Sequence, residues 1–305
     1  MDNATYQILS EMQLPHVRLI ALTEFERNDP LLQKAKSNRS LIEYYFTCTP
    51  SLPIYVLDNA PEVDIITYLD ADMYFFSSIE PIYQELGDGS VLVVEHRFSP
   101  ALKKLEIFGI YNVGLLVFKR DVNGLACLHW WRDCCLEWCY DRVEGNRFAD
   151  QKYLNDWPER FAGVVVSDHK GVGLAPWNIT NHKYSSNCRE FLVDDQTLIV
   201  YHFHGLKRIN WWLYDANITL YAAWLPGIVK KSLYYPYIRE LECINWDSQN
   251  VMKFDSDQSQ SIRASVDESA PVQVKIMNSV KNGICRLKII QNFICNNLIL
   301  IRQNE

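Results

Sequence analysis

The sequence predicts an α/β protein, in which buried strands alternate with amphipathic helices. Short apolar runs recur along residues 1–246, and several are continuous rather than alternating, as is typical of strands buried on both faces. Longer segments with apolar residues at three- and four-residue spacing lie between these runs and predict helices. Because 48% of the residues are hydrophobic and 13% are aromatic, the chain can fill a large core.

Six apolar runs are predicted as strands of one mixed, mostly parallel central sheet. In chain order they are VRLIAL (17–22), DIITYL (64–69), SVLVVEH (90–96), YNVGLLVF (111–118), GVVVSD (163–168) and TLIVYHF (197–203). Three intervening segments are predicted as helices, at residues 40–57, 79–86 and 127–143. The last of these has one inward stripe, formed by Leu128, Trp131, Cys135, Trp138 and Arg142.

The composition predicts three parts of the chain. Residues 1–246 form one domain, since the alternation of strands and helices ends there, and residues 247–270, rich in Ser, Asp and Gln, form a flexible linker. Residues 271–305 hold five Lys or Arg and one acid, with apolar residues on one helical face, which predicts a basic amphipathic C-terminal tail. Two interpretations of this tail stay open: a helix docked on the main domain or a partner, or a helix lying on a membrane surface.

Charge and cysteine content restrict the partners and the compartment. The net charge of −7 argues against a general polyanion binder, so no nucleic-acid partner is expected. The nine cysteines are an odd number and no secretory signal follows Met1, so we expect reduced thiols in a cytoplasmic protein, peripheral at the inner face of the membrane if the tail binds lipid. The cluster of Cys134, Cys135, Cys139 and His129 falls on one predicted helix, which favours core packing over a zinc site.

The most informative local feature is a pair of acidic residues after a predicted strand. Asp70 and Asp72 follow the apolar run 64–69. In an extended strand their side chains would point to opposite faces, so they can share one cation only if the chain turns there. Carboxylate oxygens suit Mg²⁺ or Mn²⁺, and such an ion would neutralise a bound pyrophosphate. Solvated turn residues are the alternative interpretation of the same pair.

A second group of polar residues follows the strand 197–203. His202 can complete a Mn²⁺ shell beside carboxylates, Gly205 allows close backbone approach, and Lys207 can meet a phosphate. His204 competes with His202 for the role of ligand. A histidine in such a place is also explained by a structural role.

Three further polar residues lie where predicted elements begin. Asn112 stands at the start of the strand 111–118, and Asp150 with Gln151 stands at a loop-to-helix start. A hydrogen bond at the strand end and helix capping are the structural alternatives for these positions.

The order of these motifs resembles a known enzyme family. Reading YLDAD, YNVGLLVF, ADQKYLN, PWN (176–178) and HFHGLK in turn, residues 15–215 resemble the retaining glycosyltransferases of the GT-A fold, in particular the glycogenin and lipopolysaccharide galactosyltransferase group, family eight. The resemblance implies a GT-A-type sheet and a hexose moved from a nucleotide sugar, UDP-linked, to a glycan or lipid-linked acceptor with retention of configuration. It also implies Mn²⁺ or Mg²⁺ as cofactor.

The resemblance also implies roles for single residues. The metal ligands would be Asp70, Asp72 and His202; the donor-binding residues Asn112, Lys207, Arg39 and Gly205; and the catalytic pair beside the donor sugar Asp150 and Gln151. Helix-end charge pairing stays open as the alternative for Arg39.

The chain departs from the family pattern at three places. Lys207 follows Gly205 by two residues where three are usual, and a second histidine is present at 204. Before ATYQIL (4–9) we expect either an internal or misassigned start at Met1 or a real loss of the family's first β-α unit. The last departure motivates an alternative function: a sugar-nucleotide-binding or assembly protein of the same fold that does not catalyse transfer.

Overall fold

The computed structural model describes residues 1–187, 190–210, 212–254 and 298–300. Within it the chain forms two compact units. One is Thr23–His204, and the other combines Met1–Leu22 with Gly205–Glu305. All of the predicted site residues except Gly205 and Lys207 lie in the first unit.

The elements are numbered in chain order. The helices are α1 (Asn3–Glu11), α2 (Leu22–Glu26), α3 (Pro30–Lys36), α4 (Leu41–Asn59), α5 (Glu80–Leu86), α6 (Val122–Glu137), α7 (Trp157–Arg160), α8 (Gly227–Val229) and α9 (Tyr235–Phe254). The strands are β1 (Ile65–Leu69), β2 (Met73–Phe75), β3 (Val91–Glu95), β4 (Tyr111–Lys119), β5 (Val164–Val166), β6 (Tyr184–Ser186), β7 (Phe191–Val193), β8 (Gln196–Thr197), β9 (Val200–His202), β10 (Lys207–Asn210), β11 (Leu213–Asp215) and β12 (Leu298–Leu300). Short 3₁₀ turns cover Pro100–Phe108, Lys152–Asp156 and Ile218–Tyr221, and a π-helical turn covers Lys230–Tyr234.

The unit Thr23–His204 is built on a mixed sheet with strand order β1-β4-β3-β5. The α/β class and the mixed sheet are confirmed. The expectation of a mostly parallel sheet is wrong, because β4 runs antiparallel to both β1 and β3 and only β3–β5 is a parallel pair. The chain between β3 and β4 carries the 3₁₀ turn Pro100–Phe108 and returns beside β3 in the opposite direction, instead of crossing over one face of the sheet as a parallel connection must.

Helices cover both faces of this sheet, and β3 shows why. Its side chains alternate between the faces, so Val91 and Val93 join the apolar cluster that contains Trp131 of α6, while Leu92 joins the cluster that contains Ile82 of α5. A strand buried on both sides has no polar face, which explains its continuous apolar sequence.

The predicted helix 40–57 is confirmed as α4. Ser40 is its N-cap: the Glu43 N–H donates to Ser40 Oγ, and the Ser40 N–H donates back to the Glu43 carboxylate. The predicted helix 79–86 is confirmed as α5.

The predicted helix 127–143 is wrong at both ends. The helix α6 begins at Val122, because Asp121 caps it by accepting from the Gly124 N–H, and it ends at Glu137. Trp138 has extended backbone angles, so Trp138 and Arg142 fall outside the helix. The buried face of α6 does contain the first three residues of the predicted stripe, Leu128, Trp131 and Cys135.

Two strand predictions need correction. Residues 17–21 form no strand and Leu22 begins α2, since the backbone there bonds to the N-terminus: the Met1 ammonium donates to Ile20 O, and the Leu22 N–H donates to Met1 O. The run 197–203 is divided between β8 and β9, which pair with different partners. The runs 64–69, 90–96, 111–118 and 163–168 are confirmed as β1, β3, β4 and β5.

The other unit contains the antiparallel sheet β10-β11-β12 and the helix α9. Because α9 extends to Phe254, the predicted linker is helical over 247–254, while 255–270 lies outside the described residues. Of the predicted tail helix, only 298–300 is described, and it is the strand β12. Among the described residues, no helix combines the length and the apolar character needed to cross a bilayer.

Candidate metal centre

A turn at the end of β1 brings the two predicted carboxylates out of the strand. The Asp70 N–H donates to Gly114 O of β4 at 2.9 Å, and the Met73 N–H donates to Asp70 O at 3.2 Å. The chain therefore turns across Asp70–Met73 and starts again as β2. This is the departure from extended backbone that Asp70 and Asp72 need if they are to share one cation.

Pairing of β2 with β9 brings a distant histidine to these carboxylates. Met73 lies opposite His202, and the Phe203 N–H donates to Asp72 O at 2.8 Å. As a result, His202 Nε2 is 2.9 Å from Asp72 Oδ1 and 3.9 Å from Asp70 Oδ2. The structure thus brings together all three residues predicted as metal ligands.

A second imidazole belongs to the same cluster. One potential ligand atom from each of Asp72, His202 and His204 lies within 4.8 Å of the other two. Within the described part of the chain, this is the group of three His, Cys, Asp or Glu side chains whose geometry could hold a metal ion. Carboxylate oxygens and imidazole nitrogens form a donor set suited to divalent transition metals, so the residues present fit such an ion.

The cluster has opposing effects on its two carboxyl groups. Burial raises the pKa of Asp70, although the charge of His202 and a hydrogen bond from the Tyr68 hydroxyl (2.9 Å) act against it. Burial also acts to raise the pKa of Asp72, but the hydrogen bond from His202 and the electrostatic interaction with the two imidazoles outweigh it and lower this pKa. Asp72 is therefore ionised at neutral pH and supplies a carboxylate that could bind a cation.

The ring of His204 belongs to the same cluster and has a lowered pKa. Desolvation lowers its pKa, and the charge of His202 lowers it further, while Asp72 and Asp70 act to raise it. The ring is thus neutral at neutral pH, which is the form that binds metals.

Gly114 of β4 lies close against the imidazole of His202. A Cβ at this position would lie 2.9 Å from His202 Cε1 and 2.6 Å from Asn112 Oδ1, so only glycine leaves room for both side chains. His202 Nδ1 is buried on this side and has no hydrogen-bond partner among the described residues, while Nε2 faces the carboxylates. The backbone of β4 thus sets the orientation of the ring.

Asn112, which was predicted to bind the nucleotide-sugar donor, uses both the oxygen and the nitrogen of its side-chain amide in hydrogen bonds within the protein. Its Oδ1 accepts from the Gly114 N–H (2.8 Å), and its Nδ2 donates to His96 Nε2 (3.2 Å). Burial lowers the pKa of His96 to about 4, so this ring is neutral, with its Nδ1–H donating to Ile110 O. The strand-end hydrogen bonding that the sequence left open as the alternative is present.

Trp177, in the middle of the PWN segment, packs against the imidazoles. Its ring lies edge-on to His202 at 5.2 Å, to His204 at 5.6 Å and to His96 at 5.2 Å between centroids. The following residue, Asn178, is buried and donates to the carbonyl oxygens of His96 and Gly173, which fixes this segment beside the centre.

The predicted catalytic pair lies close to the core. Asp150 is 4% exposed, and burial raises its pKa to about 7, with the negative charge of Asp70 raising it further and a hydrogen bond from Thr49 acting against this. Gln151 donates from Nε2 to Phe108 O at 3.2 Å. The roles of Asp150 and Gln151 toward a sugar stay predictions.

Arg39 makes the helix-end contacts that the sequence left open as its alternative role. Its Nη2 donates to the carbonyl oxygens of Cys135 (3.2 Å) and Leu136 (3.1 Å) in the last turn of α6. Its Nη1 donates to the Tyr140 hydroxyl, and the guanidinium lies 4.4 Å from that ring's centroid. A contact of Arg39 with a donor stays a prediction.

Gly205 and Lys207 belong to the other unit. Gly205 has φ +76°, and a Cβ there would lie 2.7 Å from Asn217 Nδ2, so both backbone angle and space require glycine. Lys207 is exposed and lies opposite Asp215 in the β10–β11 ladder. Their donor contacts stay predictions.

Sequence reasoning missed three residues that support the centre: Tyr68, His96 and Gly114. Each had a weak signal. Tyr68 precedes Asp70 by two residues at the end of β1, Gly114 follows Asn112 by two in β4, and His96 directly follows β3. His96 meets Asn112 and Gly114 meets His202 from different segments of the chain, so the spacing alone could not show those two contacts.

The fold and this centre define an α/β protein with a carboxylate–imidazole site suited to a divalent metal. Within that class, the chain belongs to the family of two Bacillus subtilis (strain 168) proteins, the uncharacterized proteins YfnD and YfnF. It is 31% identical to YfnD over 245 residues, which cover 79% of this chain and 78% of YfnD. It is 33% identical to YfnF over 218 residues, which cover 69% of this chain and 71% of YfnF. No family model and no solved structure matches the chain.

Proposed function

We propose that this protein is a metal-dependent glycosyltransferase of the GT-A type. It moves a hexose from a UDP-linked donor to a glycan or lipid-linked acceptor and retains the anomeric configuration. The observation that supports this most is the 2.9 Å contact between Asp72 and His202. These residues come from the D-x-D motif and the late histidine motif, which are far apart in the sequence and are the two motifs that would have to meet in such an enzyme.

The chain's own residues would prepare the site for a donor diphosphate. Asp70, Asp72 and His202 would hold Mn²⁺ or Mg²⁺, with Tyr68 fixing one carboxylate by its hydroxyl. The bound cation would neutralise charge that develops on the departing diphosphate. Asp150 and Gln151 would lie beside the donor sugar, where the amide of Gln151 can orient it.

The test is turnover of a panel of sugar nucleotides by the full chain, with and without Mn²⁺, measured as donor hydrolysis and transfer. Removing the anionic ligand in Asp72→Asn should lower kcat by about 10²-fold or more, because charge stabilisation of the leaving group is lost. The matched control is Asp64→Asn, which changes an exposed carboxylate beside the other end of β1.

Thermal unfolding of each variant separates loss of the site from loss of the fold. Unchanged turnover in a folded Asp72→Asn protein would refute the role of this carboxylate. Tight UDP binding without turnover of any donor would instead support the binding-protein alternative.

A further inference from the structure

The segment His202–Phe203–His204 places two imidazoles on one side of the chain. Both rings approach Asp72 and Trp177, and their centroids are 5.5 Å apart at 82°. Phe203 lies between them in sequence but packs against Tyr201, at 4.6 Å between centroids, and is buried. The strand β9 ends at His202, and the turn that begins at His204 keeps the second ring on the side of Asp72.

The distances in the cluster are compatible with binding one ion through both imidazoles. Metal–ligand bonds of about 2.1 Å put neighbouring donor atoms roughly 3 Å apart and opposite ones about 4.2 Å apart. The potential ligand atoms of Asp72, His202 and His204 lie within 4.8 Å of one another, so modest side-chain rotation is enough. Trp177, edge-on to both rings, restricts where they can move.

We propose that His204 binds the metal together with His202 and Asp72, and that this second imidazole makes the centre select a first-row transition ion over Mg²⁺. Imidazole nitrogen is a good ligand for transition ions, whereas Mg²⁺ strongly prefers oxygen ligands and retained water. The inference rests on the metal centre of the proposed function but not on sugar transfer. It distinguishes between the two cations that the sequence left open.

The test compares metal binding by the full chain and by His204→Ala. Titration calorimetry gives the affinities for Mn²⁺ and Mg²⁺, and pulsed EPR of bound Mn²⁺ counts coupled nitrogens directly. His204→Ala should weaken Mn²⁺ binding by about 10- to 100-fold, leave Mg²⁺ binding nearly unchanged, and reduce the nitrogen count from two to one. The matched control is His129→Ala, which removes an exposed imidazole from α6 and should change neither metal affinity.

Two outcomes would overturn the proposal: no Mn²⁺ binding by the unaltered chain, or unchanged Mn²⁺ affinity and nitrogen count in His204→Ala. Because the His204 side chain is partly exposed, the variant should fold, and thermal unfolding without metal verifies this. A chain that binds Mn²⁺ through both imidazoles but turns over no sugar nucleotide would refute the transferase function and still support this proposal. Conversely, sugar transfer by the unaltered chain together with full Mn²⁺ affinity in His204→Ala would support the transferase function and refute the role of His204.

Discussion

The buried carboxyl group of Asp150 should make folding stability depend on pH. Burial raises its pKa to about 7 in the folded protein, against about 3.9 for an aspartate in an unfolded chain. Between about pH 4 and pH 7 the folded state therefore holds a proton that the unfolded state has lost. The stabilising contribution of Asp150 is therefore complete below about pH 4, decreases between about pH 4 and pH 7, and stays at the lower level above pH 7. A difference of about three pKa units corresponds to on the order of 4 kcal/mol.

Asp150→Asn removes this titration and keeps an acceptor for Thr49. As the pH rises from 5 to 8, the unaltered chain should lose a few kcal/mol of unfolding free energy that the variant keeps. The variant therefore gains stability relative to the unaltered chain over this range. Urea unfolding of both proteins in metal-free buffer measures the two free energies at each pH, and exposed Asp64→Asn is the matched control. Parallel pH profiles for Asp150→Asn and the unaltered chain would refute the reasoning.

Two further substitutions test the support of the centre and the role of one arginine. Gly114→Ala places a Cβ 2.6 Å from Asn112 Oδ1 and 2.9 Å from His202 Cε1; it should lower stability by about 1–3 kcal/mol and weaken Mn²⁺ binding. Thermal unfolding with and without Mn²⁺ measures both effects, and Gly227→Ala, whose Cβ meets nothing within 4 Å, should change neither. Arg39→Ala should cost about 2 kcal/mol of unfolding free energy, since it removes charged hydrogen bonds to the end of α6. Unchanged UDP affinity by calorimetry would limit Arg39 to this structural role. A tenfold loss of UDP affinity would instead place Arg39 at the donor site.

The sequence predicted where strands and helices lie better than it predicted which strands pair with one another. The runs that became β1, β3, β4 and β5 were recognisable because strands buried on both faces have few polar residues. Strand direction was not predictable in this way, since it depends on the path of the connection between β3 and β4. The run 17–22 has the same apolar composition as the true strands, yet its backbone bonds to Met1. Composition therefore identified material for strands, but not whether a strand would find a neighbour.

For the candidate site, too, the sequence predicted which residues meet but not the contacts that support them. The order of motifs indicated Asp70, Asp72 and His202 as a group, and the structure places them together. What could not be predicted is the supporting contact of Gly114 with His202, because it requires β4 to lie beside the turn after β1. The order of motifs indicates which residues meet, whereas the surrounding shell depends on strand pairing that no local pattern shows.

The centre depends on the register of a very short ladder. The pairing of β2 with β9 has three positions, and a slip of one residue would turn His202 away from Asp72. A few hydrogen bonds, each contributing about 1 kcal/mol, stabilise that register only weakly. Packing of Tyr201 and Phe203 stabilises the register more strongly, since both are buried and the same slip would displace them from their neighbours. The apolar residues next to His202 are therefore as important to the geometry of the candidate metal centre as its carboxylates and imidazoles.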